Sequence, residues 1–326
     1  MPWQPAASLK NLRRRNEIIS TIREYFASHF VMEVDVPVLA STAATDVHLD
    51  SIKADCCGAT NFLQTSPEFF MKRLLAAHGE AIYYLGKAFR NEERGRRHNP
   101  EFTMLEWYRP GWDQQQLIRE ASELISRVLN LHCKLRGEPK IAAHNLPRQL
   151  SYQKLFQQRY GVNPHIAQVE ELQGIAKNEF GIDWNDDDKN TWLDLLFSYG
   201  VEASLQDVTI VYDFPASQAA LSKIENDGNG VPVAKRFEIF YRGVELANGY
   251  CELTDAKVQR ERFQKDITQR QQQDLFALEM DENLLQAMKS GLPECSGIAL
   301  GVDRLVMLAL GAESLDEVIA FPFDRV

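Results

Sequence analysis

The densest chemistry in the chain lies between Phe89 and Tyr108, where Phe89-Arg-Asn-Glu92 is followed by His98-Asn-Pro-Glu-Phe-Thr-Met-Leu-Glu-Trp-Tyr108. The second run carries two carboxylates and three aromatic rings, and the first adds the fixed cation Arg90. Such a set suits a site that holds an anionic nucleotide beside a cationic small molecule. A second run, Gly297-Ile-Ala-Leu-Gly-Val-Asp-Arg304, lies near the C-terminus and adds another arginine.

Further acids and polar groups form a pattern of their own. Glu68, Glu106, Tyr108, Asn248 and Glu252 supply three carboxylates, a phenol and an amide. A pocket rich in carboxylates selects a cationic ligand, because an unpaired buried charge is costly. A diamino acid would satisfy that requirement at both amines. Glu106 and Tyr108 alternate along one predicted strand, so both can point into one pocket. Glu238 and Glu245 flank a predicted hairpin and could hold Mg²⁺ through oxygen ligands. That spacing is weak evidence taken alone, and a solvated strand face is the simpler reading.

The elements that position these residues follow from periodicity. Asn16 to His29 reads as a helix with Ile18, Ile19, Ile22, Tyr25 and Phe26 on one face. Phe30 to Leu39 reads as a strand entering an extended segment, since Pro37 cannot donate to a ladder. Thr65-Ser-Pro-Glu68 opens a second helix: Ser66 is placed to cap it, Pro67 suits its first turn and Glu68 its positive dipole end. Phe70, Leu74 and Ala77 continue the predicted buried stripe, and Gly79 marks the stop. Ala81–Leu85 and Phe102–Tyr108 form two antiparallel strands joined by a long arginine-rich loop. Gln114–Leu131 is a helix. The span from about 134 to 205 reads as a less regular insertion with short helices at Leu150–Phe156 and Thr191–Phe197. Val208–Pro215 is a strand, and Arg236–Ala247 is a hairpin turning at Arg242-Gly243. Asp255 to Arg270 and Asp281 to Met288 are helical, and Ile298–Leu310 is a strand running into a helix. Helices mixed with largely antiparallel strands fit the α+β class in a single domain over 1–326.

Composition restricts the function classes. With 44% hydrophobic and 25% charged residues, the 326-residue chain is long enough to bury a sizeable core. No apolar run reaches the length of a membrane span, and the first residues lack the apolar stretch of a signal peptide. Five cysteines, the adjacent pair Cys56-Cys57 with Cys133, Cys251 and Cys295 scattered, and no C-x-x-C argue for reduced thiols and a cytoplasmic location, and against a zinc site. A net charge of −10 argues against a protein whose whole surface tracks nucleic acid. Arg13-Arg14-Arg15 and Arg94-Gly-Arg-Arg97 remain as local basic patches or as solvated charged faces. Cys251, beside Glu252, has no function that the sequence explains.

Together the two runs resemble motifs 2 and 3 of the class II aminoacyl-tRNA synthetases, and Val34-Asp-Val-Pro37 looks like motif 1. Arg236-Phe-Glu-Ile-Phe and Gly243-Val-Glu-Leu-Ala-Asn-Gly249 are similar to the lysyl subgroup. The resemblance covers nearly the whole chain and implies the class II catalytic core, an antiparallel sheet flanked by helices. It also implies joining a carboxylate to AMP from ATP with Mg²⁺, a reaction that positioning and positive charge can catalyse without a general base. On that reading Arg90 bridges the substrate carboxylate and the α-phosphate, and Arg304, at a helix start, binds the outer phosphates. Adenine stacks between Phe102 and an arginine, with Asn99 and the 90–92 backbone at its edge and Glu92 on the ribose or adenine side. Asn91, Glu245, Leu246 and Gly301 complete the implied ATP site, and Glu238 with Glu245 the metal pair. Ser66, Pro67, Glu68, Glu106, Tyr108, Asn248, Glu252 and Ala299 form the implied amino-acid site. Motif 1 implies a homodimer.

Two departures redirect this reading. Motif 1 starts near residue 30, leaving no room before it for the anticodon-binding barrel of a lysyl-tRNA synthetase. Ala299 stands where the lysyl enzymes carry glycine, and one methyl is enough to bias substrate choice by about 1–3 kcal/mol. A shifted amine, as in a β-amino acid, is the consequence. A stand-alone lysyl-type core of this kind is similar to the bacterial elongation factor P lysyltransferases. That resemblance implies activation of (R)-β-lysine and its transfer to a lysine ε-amine of elongation factor P, with tRNA not expected as acceptor. The competing readings are a truncated lysyl-type enzyme that charges tRNA, a binding protein that has lost activity, and an amidating paralogue like asparagine synthetase. Retention of Arg90, Glu238, Glu245 and Arg304 argues against the second, and a carboxylate-rich pocket against the third.

Overall fold

A computed structural model describes residues 3–91, 93–137, 139–141 and 147–326. The chain opens with α1 (Leu9–Ser28), capped by Ser8, whose hydroxyl accepts the Asn11 N–H at 3.2 Å. The helix begins well before the predicted Asn16 because its polar first turns are anchored by tertiary contacts. Arg15 pairs with Asp303 at 2.6 Å and donates to Thr103 Oγ1 at 2.9 Å. One arginine of the first basic run is therefore a strut rather than a solvated charge. The predicted strand over 30–39 is mostly extended backbone between two short strands, β1 (Met32–Glu33) and β2 (Leu39–Ala40). A small sheet joins β2 to β4 (Ala59–Leu63) and β4 to β3 (Lys53–Cys56).

Next come α2 (Glu68–His78), β5 (Ile82–Phe89), β6 (Glu101–Pro110) and α3 (Gln114–Leu131), the last on its predicted bounds. The span 134–205 carries β7 (Arg148–Ser151), α4 (Tyr152–Tyr160), α5 (Val169–Phe180) and α6 (Lys189–Gly200), so it holds three helices where two were predicted. These helices build their own core around Tyr152, Phe156, Trp192 and Phe197. The rest is β8 (Thr209–Pro215), β9 (Ile224–Asn226), β10 (Pro232–Tyr241), β11 (Val244–Cys251), α7 (Ala256–Gln272), α8 (Glu282–Gly291), β12 (Cys295–Gly301) and α9 (Val302–Leu310).

The large sheet runs β1-β5-β6-β12-β11-β10-β8-β7, with β9 also on β10. Only its two outermost pairs, β1–β5 and β7–β8, are parallel. Side chains alternate across it. Leu105, Trp107, Ile298, Leu300, Phe237 and Ile239 face one way and form the main core with apolar residues of α1, α3 and α9. The opposite face looks into a cavity, with α2, α7 and α8 packed alongside through Met71, Leu75, Phe263, Leu284 and Met288.

In α2 the buried stripe departs from prediction. Met71, Lys72 and Leu75 are buried, Phe70 and Leu74 are half-buried and Ala77 is exposed. The stripe is turned by one residue because Lys72 lies inside, paired with acids on the cavity side. The cap position is Pro67, which has no side-chain group to offer, and Ser66 Oγ accepts the Glu68 N–H at 3.3 Å. Gly79 ends the helix in the left-handed region, as predicted.

Candidate active site

Register fixes the floor of the cavity. Across β6, β12, β11 and β10, Glu106, Ala299, Asn248 and Glu238 are successive partners and share one face. Two residues along, Tyr108, Gly297, Tyr250 and Arg236 form the next row. The predicted hairpin turns at Arg242-Gly243, both with positive φ, as a two-residue turn with the primed twist requires. Beyond the turn, Phe240 pairs with Glu245 but Ile239 with Ala247, so Leu246 is an extra residue. This bulge puts Glu245 on the cavity face beside Glu238, while Leu246 packs into the main core and still borders the cavity.

The cavity holds about 870 Å³ and brings together most of the predicted residues. Arg90, Asn99, Phe102, Glu245, Leu246, Gly301 and Arg304 line one part, and Ser66, Glu68, Glu106, Tyr108, Asn248, Glu252, Ala299 and Glu238 the other. Two predicted residues are not in its wall. Asn91 is tied to the loop before β3, with its amide donating to Asp50 Oδ2 at 2.7 Å and its N–H to the Asp50 carbonyl. Pro67 is buried at the helix cap. Glu92 lies outside the described residues.

At the arginine-bearing end, the Arg90 guanidinium lies over the Phe102 ring, 5.2 Å from its centre, a favourable cation–π distance. Arg304 sits in the first turn of α9 and is preset by three contacts. It donates to the Arg97 carbonyl at 3.2 Å and the Glu245 carbonyl at 3.1 Å, and its third nitrogen is 2.6 Å from His98 Nε2. Burial and the adjacent Arg304 hold His98 below its ordinary range, so the imidazole is neutral and can accept. Motifs separated by two hundred residues are thus in direct contact. Asn99, predicted at the adenine edge, has its amide engaged: it donates to the Glu101 carbonyl and accepts the Phe323 N–H.

At the acidic end, burial pushes the Glu106 carboxyl well above its usual range, with Glu68 adding to the effect, and Tyr108 Oη donates to Glu106 at 2.8 Å. Burial also raises Tyr108. Glu252 is fully buried and pushed up to about 7, chiefly by burial and against the pull of Lys72. Burial disfavours the Lys72 cation too, yet Glu252 and Glu68 outweigh it and hold the ammonium above its ordinary range. The pair is asymmetric because Lys72 faces two carboxylates, whereas Glu252 faces one cation and another acid. Gly297 leaves the space these groups occupy. A Cβ there would sit 2.3 Å from Tyr108 Cε1 and 2.6 Å from Glu252 Oε1.

Glu238 and Glu245 fit a Mg²⁺ pair. Burial pushes Glu238 up to about 8, and Glu245 adds to that although Arg236 is paired with Glu238. Negative charge there is undercompensated, which a divalent cation would relieve. Among the described residues no three acids, histidines or cysteines form a metal cage. Mg²⁺ commonly uses one or two carboxylates together with substrate phosphates, so two suffice.

Residue types alone did not single out Lys72, Arg236, Tyr250 or His98. Glu68 and Lys72 stand one helical turn apart, a spacing that ordinarily marks a surface ion pair. Arg236 alternates with Glu238 on β10, the signal that could have placed it, and it also donates to Asn248 Oδ1 at 3.2 Å.

A family model of class II tRNA synthetases (D, K and N) matches residues 3–325. The elongation factor P–(R)-beta-lysine ligase of Proteus mirabilis is 45% identical over 333 aligned residues, covering 99% of this chain and 98% of its own. The ligases of the same name from Salmonella paratyphi B and Salmonella enteritidis match to the same extent. With motifs 2 and 3 converging on one cavity and this similarity along its length, the chain belongs to the class II tRNA synthetase family, alongside the elongation factor P–(R)-beta-lysine ligases.

Proposed function

We propose that this protein activates (R)-β-lysine with ATP as an aminoacyl-adenylate. It then transfers the β-lysyl group to the ε-amine of a lysine of translation elongation factor P. The observation that carries the reading is the single cavity that joins Glu68, Glu106, Tyr108 and Glu252 to Arg90 and Arg304. One end suits two ammonium groups and the other a polyphosphate. The likeness to named ligases across the whole chain supplies the acceptor.

In the first step a carboxylate oxygen of the amino acid attacks the α-phosphorus of ATP, and pyrophosphate leaves. Arg90 bridges the two anions through its planar fork. Arg304 neutralises the leaving pyrophosphate, aided by the N-terminus of α9. Phe102 offers a face to the adenine. Glu238 and Glu245 would hold Mg²⁺, which supplies further neutralisation of the phosphates. The acidic end orients the amines, and Ala299, between Glu106 and Asn248, narrows the floor where an α-amine would lie. In the second step the neutral acceptor ε-amine attacks the acyl carbon, the acyl–phosphate C–O bond breaks, AMP leaves, and the amine proton is released to solvent as the amide forms. Motif 1, around Pro37, supports a homodimer as the working form.

The test offers purified elongation factor P or bulk tRNA to the protein with ATP, Mg²⁺ and labelled (R)-β-lysine or α-lysine. Label on the factor is the expected result. Label on tRNA and never on the factor overturns the proposal.

A further inference from the structure

Lys72 is a fully buried charge directly behind the acidic end of the cavity, and the proposed chemistry leaves it unused. Its ammonium lies 2.7 Å from Glu68 Oε1 and 2.6 Å from Glu252 Oε2, and its side chain is 1% exposed. Glu68 and Glu252 line the cavity and Lys72 does not, so it stands behind them. It is the one cation paired with Glu252 among the described residues. A buried cation is expensive, and breaking such a pair leaves an uncompensated charge.

The charges have a simple sum. With Glu68, Glu106 and Glu252 all ionised, the state a bound dication favours against burial, the Lys72 ammonium leaves two negative charges. A diamino acid carries two ammonium groups. We infer that Lys72 is a positioning residue of the acyl-substrate pocket, holding Glu252 and Glu68 in place through the paired ammonium, favouring the Glu252 carboxylate over its protonated form, and setting the pocket charge to match a doubly cationic amino acid. This rests on the diamino-acid reading above.

The surroundings of Glu252 leave that task to Lys72. From β6 it faces Glu106 and Tyr108, from β11 Tyr250 and Cys251, and from β12 Cys295 and the Gly297 N–H. None of those side chains is a cation. From α2 Glu68 adds a like charge, and Lys72 opposes both that and burial. Without Lys72, burial and the neighbouring Glu68 would keep the Glu252 carboxyl protonated. A dicationic ligand would then have to expel that proton to bind.

Amino-acid-dependent ATP–pyrophosphate exchange, followed from pH 6.5 to 8.5 with (R)-β-lysine, tests this. In Lys72→Met the KM for the amino acid should rise at least about tenfold at pH 7 and recover as pH increases. The midpoint of the KM–pH profile should move alkaline by about one unit or more, the size of an opposite-charge effect at contact. The KM for ATP should stay within twofold. Glu68→Gln/Lys72→Met, which removes a carboxylate together with the cation, should bring the midpoint back towards wild type, and Lys72→Arg should keep it there. An unshifted midpoint in Lys72→Met, or a parallel rise in the KM for ATP, overturns the inference by showing a structural role. If Lys72→Met does not fold, a Lys72→Arg or double-variant midpoint displaced alkaline overturns it. A wild-type protein that exchanges pyrophosphate with no diamino acid overturns the proposed function as well.

Discussion

Gly297→Ala places one methyl group where the floor of the acidic pocket is tightest. Its carbon would lie 2.3 Å from Tyr108 Cε1, 2.5 Å from Tyr108 Cδ1 and 2.6 Å from Glu252 Oε1. Carbon contacts are comfortable at about 3.5 Å, so the ring and the carboxylate must each retreat by roughly 1 Å. Neither has an easy path: Tyr108 is buried and bonded to Glu106, and Glu252 is paired with Lys72. Overpacking of this kind costs about 1–3 kcal/mol, which for a chain of this size lowers Tm by roughly 2–6 °C. A displacement near 1 Å at a substrate-positioning group costs on the order of 100-fold in rate. ATP–pyrophosphate exchange should therefore show kcat/KM for (R)-β-lysine falling about 100-fold while the KM for ATP changes less than threefold. A kcat/KM for the amino acid within threefold of wild type would refute the assignment of Tyr108 and Glu252 to the amino-acid end. An equal loss in ATP affinity would do the same.

Ala299→Gly opens the floor between Glu106 and Asn248, so exchange with α-lysine relative to (R)-β-lysine should rise by about 5- to 150-fold, the equivalent of 1–3 kcal/mol. An unchanged ratio would remove Ala299 from the selectivity argument. Arg304→Ala should abolish adenylate formation, read as AMP production, while thermal unfolding stays near wild type because α9 keeps its buried apolar face. Full activity in that variant would end the motif 3 assignment. Glu252 supplies a pH test of stability. Its folded value of about 7 lies above the ordinary 4.5, so between those values the folded state binds more protons and stability falls as pH rises. Glu252→Gln should flatten that part of the Tm–pH curve, and an unaltered slope would show that another group titrates there.

Much of the fold was legible because local rules and tertiary packing agree. Gln114–Leu131 and the β10–β11 hairpin lie on or near their predicted bounds, each with unambiguous periodicity or turn residues. Alternation on β6 alone put Glu106 and Tyr108 on one face. Elements went astray where a residue's surroundings come from far along the chain. The first turns of α1 are polar, and only Asp303 and Thr103 show why they are helical. The buried face of α2 follows Lys72, whose partner Glu252 is 180 positions away, so no helical periodicity could show that a lysine points inward.

The amino-acid sequence by itself determined the family and the residue types on offer: arginines in recognisable frames, which suit phosphate, and acids, which suit a cation. Alternation and turn chemistry are local, and they suffice for that. Only the tertiary structure decided how the charges are matched. The bulge that turns Glu245 towards Glu238, the contact of Arg304 with His98, and the ammonium behind Glu68 and Glu252 all depend on strand register and helix packing. Coulomb energy in a buried site depends on separations of a few ångströms between residues distant along the chain. Those separations come into being only when the sheet closes over its core.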